Sequence, residues 1–242
     1  MPNWVTTVVN FEGKQEDIDT IFNLIKGSED DEDSVFDFNR LIPMPTELDI
    51  EDGSRGTTGL VYLYKHADND EAKDLIAMVY SGQSFLGKIE EAREPEDINE
   101  EAIKIAEQYI SNYKKYGYCT WYRWAINNWG TKWNASCPNR YGNSLEFNTA
   151  WGFAEPIMSK LAELCGEHNV TFSGYFCDED YYSGNKGTFD CFDDGSFGYE
   201  YNDEDIYDES VKDILINCYG EDFYEEALSW LEENEDDWFW YK

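Results

Sequence analysis

The apolar positions change period several times along the chain, and each change predicts an element. Trp4–Phe11 (WVTTVVNF) is β-branched and aromatic and predicts a strand. Ile18, Ile21, Phe22 and Ile25 then recur at helical spacing, with Gly27 as the stop. Val35–Phe38 reads as a short strand, and Leu41–Pro45 as extended, because a residue before proline avoids the helical region. Leu60–Tyr64 fits a short strand or helix. Ala72, Leu75, Ile76 and Val79 mark a helix ending near Gly82, and Ser84–Pro95 is a polar connection. Asp97 is placed to cap the next helix, with Glu100 three residues on in capping-box position. Ile98, Ala102, Ala106, Tyr109, Ile110 and Tyr113 give that helix its apolar stripe until Gly117 breaks it.

Tyr118–Asn134 (YCTWYRWAINNWGTKWN) holds Trp121, Trp124, Trp129 and Trp133. Large rings bury the most apolar area per residue, so this stretch is expected to be a hub on which flanking elements pack. Ser144–Trp151 alternates as a strand, with Leu145, Phe147, Thr149 and Trp151 on one face. Ile157, Leu161 and Leu164 define a helix, with Pro156 tolerated in its first turn. Val170–Cys177, Thr188–Phe192 and Ser196–Tyr201 read as an antiparallel meander, separated by turns at Ser183–Gly187 and Asp193–Gly195. Two helices close the chain. Val211, Ile214, Leu215 and Cys218 face inward in the first, and Phe223, Ala227, Leu228 and Leu231 in the second. Helices interleaved with short antiparallel strands give an α+β class.

Charge changes the picture more than composition does. The chain has 242 residues, 41% of them hydrophobic, and a formal net charge of −34. Residues 1–140 carry 26 acids and 14 bases, whereas 141–242 carry 26 acids and only 4 bases. Nucleic acid and anionic membrane need clustered Lys and Arg, so neither is expected as a direct partner. The charge favours a basic protein surface or metal cations instead. The six cysteines, Cys119, Cys137, Cys165, Cys177, Cys191 and Cys218, show no CxxC pair and no zinc spacing with His66 or His168, and read as buried thiols of a reducing cytosol. There is no export signal and no apolar run of membrane length, so a cytoplasmic protein is expected. The acidic run Ser28–Ser34 lacks the spacing that wraps one chain around Ca²⁺ and reads as a solvated loop.

Four motifs in order, MPNW (Met1–Trp4), FDFNRLIPMP (Phe36–Pro45), NWGTKWNA (Asn128–Ala135) and FNTAW (Phe147–Trp151), resemble the YubB-type ferredoxin-like proteins of phages and plasmids. The resemblance covers about the first two-thirds of the chain and the meander. It implies a ferredoxin-like α/β sandwich over 1–202, with an antiparallel sheet and a helical insertion at about 52–117. Many relatives carry cysteine where this chain has Val5, and the acidic helical end, 203–242, lies outside the shared pattern. The family brings no assigned activity and so no catalytic residues. It implies a mobile-element setting, where accessory genes often counter host defence.

Candidate chemistry is sparse, and no catalytic residue, metal or cofactor is expected. Asn128, Trp129, Lys132 and Trp133 could form a pocket in which rings stack on a base or sugar and Lys132 meets a phosphate. The competing reading is a structural turn with its tryptophans in the core. Tyr175, Tyr181, Tyr182, Phe189, Phe197, Tyr199 and Tyr201 line the meander. Asp178, Glu179, Asp180, Asp190, Asp193 and Asp194 surround them with negative charge, which argues against stacking on RNA. The acidic end sets Glu225, Glu226, Glu232, Glu233, Glu235, Asp236 and Asp237 beside Trp238 and Trp240. Carboxylates pair with Lys and Arg while rings take cation–π contacts, so this is the candidate partner surface, with a solvated helix face for solubility as the competing reading. Two functions follow. The first is a non-catalytic inhibitor of anti-restriction or anti-CRISPR type, which fills the nucleic-acid groove of a basic host defence protein by DNA mimicry. The second is a small-ligand (nucleotide) module or enzyme using the tryptophan-rich pocket.

Overall fold

A computed structural model describes residues 3–27, 35–83, 87–180 and 184–233. The elements run β1 (Trp4–Glu12), α1 (Gln15–Ile25), α2 (Ser54–Lys65), α3 (Asp70–Ser81), α4 (Glu100–Tyr116), α5 (Trp121–Trp129), β2 (Ser136–Tyr141) and β3 (Ser144–Ala150). They continue with α6 (Glu155–Glu167), β4 (Thr171–Asp178), β5 (Lys186–Cys191), β6 (Phe197–Tyr201), α7 (Glu209–Tyr219) and α8 (Glu221–Glu233). The chain divides into two compact units, Met1–Pro43 with Asn128–Lys242, and Met44–Asn127.

The fold is α+β. All described strands of the first unit join one antiparallel sheet in the order β2-β3-β1-β4-β5-β6. The path β1-α1-β2-β3-α6-β4 with neighbours β2-β3-β1-β4 is the ferredoxin-like arrangement, and β5 and β6 extend it past β4. Alternation along each strand sorts the two faces. On one lie Val5, Val9, Phe11, Leu145, Phe147, Phe172, Phe176 and Phe189, all buried. Phe11 meets Phe22 of α1 edge-on at 5.2 Å, and the thiol of Cys191 donates to the Ala162 carbonyl of α6, so α1 and α6 cover this face. Helix α7 covers part of the other. Its Tyr219 hydroxyl donates to the Cys177 carbonyl at 2.7 Å, and Cys177 is buried among Val211, Ile214, Leu215 and Cys218.

The second unit is helical and wider than the 52–117 insertion read from sequence. Its helices α2 and α4 cross closely. A Cβ on Gly59 would lie 2.1 Å from the Ala102 carbonyl oxygen, so only glycine fits there. Asn112 is buried and donates to the carbonyls of Glu47 (2.8 Å) and Cys119 (2.9 Å), while Tyr109 donates to the Glu51 carbonyl at 2.6 Å.

Several expectations need correction. Val35–Phe38 is not a strand. Asp37 accepts the Asn39 N–H and caps a single 3-10 turn, Phe38–Arg40, and Phe36 and Phe38 insert beside Phe147 at 5.0 and 5.9 Å. Leu60–Tyr64, read as a short strand or helix, is the helical alternative, inside α2. Asn99, not Asp97, caps α4, by accepting the Ala102 N–H at 2.8 Å. Ser136–Tyr141 is a strand that the sequence reading missed. Trp151 does not join the inward face, since β3 ends at Ala150 and a φ of 70° turns the exposed indole away. Of the six thiols Cys137 is exposed, because it sits at φ 50° in a break of register on an edge strand. The Ser28–Ser34 loop, Tyr181, Tyr182 and Ser183, the first residue of the Ser183–Gly187 turn, lie outside the described residues.

Candidate functional site

The helical hairpin α7–α8 forms the acidic end of the first unit. Asp208 caps α7 by accepting the Ser210 N–H at 2.9 Å, and the Ser210 hydroxyl and backbone hold its carboxyl below the usual range. Gly220, at φ 90°, reverses the chain into α8. The inward stripe of α8 is Tyr224, Ala227 and Leu231, with Phe223 and Leu228 half-buried against the same cluster. The sequence reading had Phe223, Ala227, Leu228 and Leu231 and missed Tyr224, whose hydroxyl donates to the Ile206 carbonyl at 3.3 Å.

The outward face carries the charge. Glu221, Asp222, Glu225, Glu226, Glu232 and Glu233 are all exposed, with no base among the thirteen residues of α8. Lys212 of α7 is occupied within the hairpin, 3.7 Å from Glu209 and 5.9 Å from the centre of the Tyr224 ring. Trp230, 49% exposed, stands between Glu226 one turn before and Glu233 one turn after. It supplies the ring beside acids that the sequence reading sought in Trp238 and Trp240. Those two residues, with Glu235, Asp236 and Asp237, lie outside the described residues.

Part of this placement opposes helix stability. Glu221 and Asp222 in the first turn suit the positive end of the helix dipole. Glu232 and Glu233 in the last turn do not, and Glu221–Glu225 and Asp222–Glu226 are like-charge pairs at i,i+4.

The tryptophan stretch is not one hub. Trp129 is buried, with its ring edge-on to Phe38 at 5.8 Å and its indole N–H donated to the Ile42 carbonyl at 2.9 Å. Trp133 is 38% exposed, lies 6.1 Å from Trp4, and carries the Lys132 ammonium over its ring at 4.4 Å. Asn134 accepts the Phe38 N–H at 2.8 Å and donates to Asp37 at 2.7 Å, so this turn braces the 3-10 segment. Asn128 and Lys132 are half-buried. The four proposed pocket residues are thus near in sequence, but Trp129 is committed to the core and only Trp133 offers a ring to solvent.

An open groove of about 730 Å³ lies along the outer ends of β4 and β5, lined by Glu12, Phe172, Asp190, Phe192, Asp193 and Asp194 among others. The Ser196 N–H and hydroxyl donate to Asp194 at 3.0 and 2.6 Å and hold its carboxyl low. Burial pushes the Cys191 thiol up, away from nucleophilic use. Among the described residues no three His, Cys, Asp or Glu are grouped to hold a metal ion. Also among the described residues, no helix is long and apolar enough to cross a membrane.

No family model and no curated protein matches the chain. Among solved structures, the crystal structure of a protein api92 from Yersinia pseudotuberculosis, of the family DUF1281, is 8% identical over 85% of this chain and 99% of that one, with a TM-score of 0.37. A likeness at that level carries no argument about function.

Proposed function

We propose that this chain is a non-catalytic acidic protein of a mobile element that occupies the nucleic-acid groove of a basic host defence protein, as an anti-restriction or anti-CRISPR inhibitor imitating DNA. The mean charge density of α8 carries this reading. Its six carboxylates lie on thirteen residues, a helix length of about 20 Å at 1.5 Å per residue. Averaged over the helix, that is roughly one charge per 3.3 Å, carried in three adjacent pairs (Glu221–Asp222, Glu225–Glu226 and Glu232–Glu233), against about 3.4 Å along one strand of duplex DNA. Acids placed where the helix dipole and like-charge neighbours disfavour them point the same way, since solubility alone does not need charge at those positions. The chain's charge is also concentrated. Residues 44–127 carry sixteen acids and nine bases, whereas 1–43 and 128–242 together carry thirty-six and nine. Such a field steers a basic partner toward the acidic unit. The resemblance to the YubB-type family supplies the mobile-element setting.

The test is capture of host proteins on the immobilised full-length chain, followed by elution with duplex DNA. A basic nucleic-acid-binding enzyme should be held, displaced by DNA, and released steeply as salt rises. Changing Glu225, Glu226, Glu232 and Glu233 together to Gln should weaken the captured complex at least about tenfold, the scale of a few lost ion contacts. Capture that ignores DNA, or a quadruple variant that binds as the parent does, overturns the reading. The second reading, a nucleotide module at Asn128, Trp129, Lys132 and Trp133, draws on the solvent-facing ring of Trp133 beneath Lys132. Nucleotide retained on purification, lost in Trp133→Ala, is the result that favours it.

A further inference from the structure

We infer that the outer edge of β6 is a second docking site, which takes an extended, Lys- or Arg-bearing segment of the partner protein as a seventh strand. This rests on the reading of the partner as basic.

β6 ends the sheet, and among the described residues no strand pairs with its far side. Its register shows which backbone groups are on offer. The Asn202 N–H donates to the Lys186 carbonyl, and the Phe192 N–H to the Ser196 carbonyl, both at 2.9 Å. Ser196 and Asn202 therefore point their backbone groups at β5, and antiparallel alternation makes Gly198 and Glu200 do the same. The N–H and C=O of Phe197, Tyr199 and Tyr201 face outward. These are the residues whose rings share one face, with Phe197 and Tyr199 stacked at 6.0 Å and Tyr199 edge-on to Tyr201 at 5.7 Å, both tyrosines nearly half exposed.

The opposite edge is protected. β2 contains Pro138, a register shift between Ser136 and Asn139, and Cys137 at φ 50°, each of which spoils a template for pairing. β6 (FGYEY) has neither proline nor bulge. One edge is thus closed to strand addition and the other left open.

Charge selects the occupant. Residues 187–211 hold nine acids and no base. A second copy of this chain, paired antiparallel through β6, would bring Glu200 close to its twin and one acidic unit against another, which Coulomb repulsion opposes. A strand with cationic side chains gains from both faces. Glu200 lies on one, available for an ion pair, and Tyr199 and Tyr201 present rings for cation–π contact on the other. In such additions main-chain hydrogen bonds supply affinity and alternate side chains supply selectivity.

The probe is a fluorescein-labelled peptide of alternating Arg and Val, with a control in which proline replaces alternate valines and removes strand hydrogen bonding at equal charge. Binding to the full-length chain is measured by anisotropy, and amide hydrogen exchange reports the site. The Arg–Val peptide should bind more tightly than its proline control and slow exchange at the Tyr199 and Tyr201 amides of the unmodified protein. Tyr199→Pro removes an outward N–H without cutting a β5–β6 bond. It should weaken binding about tenfold, the scale of one or two hydrogen bonds, and Tyr199→Thr, which keeps the N–H, should weaken it less. Equal binding of the two peptides, or unchanged exchange at Tyr199 and Tyr201, overturns the inference. If binding is then lost in the quadruple α8 variant, the basic-partner reading survives without strand addition. If neither peptide binds at low salt, both readings fall.

Discussion

Trp129 and Trp133 lie in one aromatic stretch but in different environments, and the difference is measurable. Trp129 fills core space against Phe38 and satisfies its indole N–H on Ile42. Trp129→Ala should cost about 3–5 kcal/mol, through a cavity and an orphaned carbonyl. Trp133 keeps 38% of its surface in water and gains mainly from Lys132 above it. Trp133→Ala should cost only about 1 kcal/mol. Denaturant unfolding of both variants checks this, and equal losses would mean that the whole stretch acts as one hub after all. Sequence alone makes the two residues look equivalent, because an aromatic cluster signals burial without saying which ring has space. The core of the first unit is built from phenylalanine, with Phe36, Phe38, Phe147, Phe172, Phe176 and Phe189 almost fully buried. Phenylalanine has no N–H to satisfy there. The same limit hid Trp230, an apolar residue whose angular position between Glu226 and Glu233 puts it on the solvent face.

Among the elements, those with a clear period were legible. Ile18, Ile21, Phe22 and Ile25 are the buried stripe of α1, and Val211, Ile214, Leu215 and Cys218 that of α7. The acidic face of α8 could be read as what remained once its inward stripe was placed. Elements without a period were not legible. β2 (SCPNRY) has no apolar alternation, because an edge strand contributes little to the core. Strand order is absent from any local pattern, so the contrast between the β2 and β6 edges emerges only from the sheet. Nor did helical periodicity reveal how closely α2 and α4 approach. At Gly59 a methyl group would meet the Ala102 carbonyl and the Ala106 side chain. Gly59→Ala gains helix propensity of at most about 1 kcal/mol, but forcing the helices apart costs about 1–3 kcal/mol. The net effect should be a lower melting temperature for the second unit, with the strands of the first unaffected in hydrogen exchange. A stabilised Gly59→Ala variant would mean that the crossing has slack.

At the scale of the whole molecule, charge sets how stability follows pH. At neutral pH the net charge of −34 strains the compact state. As pH falls from about 7 toward 5, ordinary carboxylates start to bind protons, repulsion relaxes, and the melting temperature should rise. Below that range a second group of carboxylates opposes the trend. The Lys115 hydrogen bond holds Glu47 down at about 2, and Arg140 and two serine hydroxyls hold Asp19, Asp194 and Asp208 low. Their folded pKa lies below the unfolded one, so their contribution is complete above the usual carboxylate range and is lost as pH falls toward 2. On the alkaline side the sign reverses. Burial pushes Tyr109 up to about 12, Cys119 to about 11 and Cys177 to about 12. Each favours the folded state fully below its unfolded pKa, and that favour is lost as pH rises from about 9 to 12. Thermal unfolding across this range should therefore show a maximum at about pH 5, a decline below about 4, and a second decline above about 9. Added salt should raise the melting temperature more at pH 7 than at pH 5, where less charge remains to screen. The larger salt effect belongs to the first unit, which holds thirty-six of the 52 acids. A melting temperature flat between pH 7 and 5 and indifferent to salt would mean that the carboxylates are already spaced widely enough not to repel. The acidic face of α8 would then impose no stability cost, and the placement of its acids could no longer be used to support a partner-binding role.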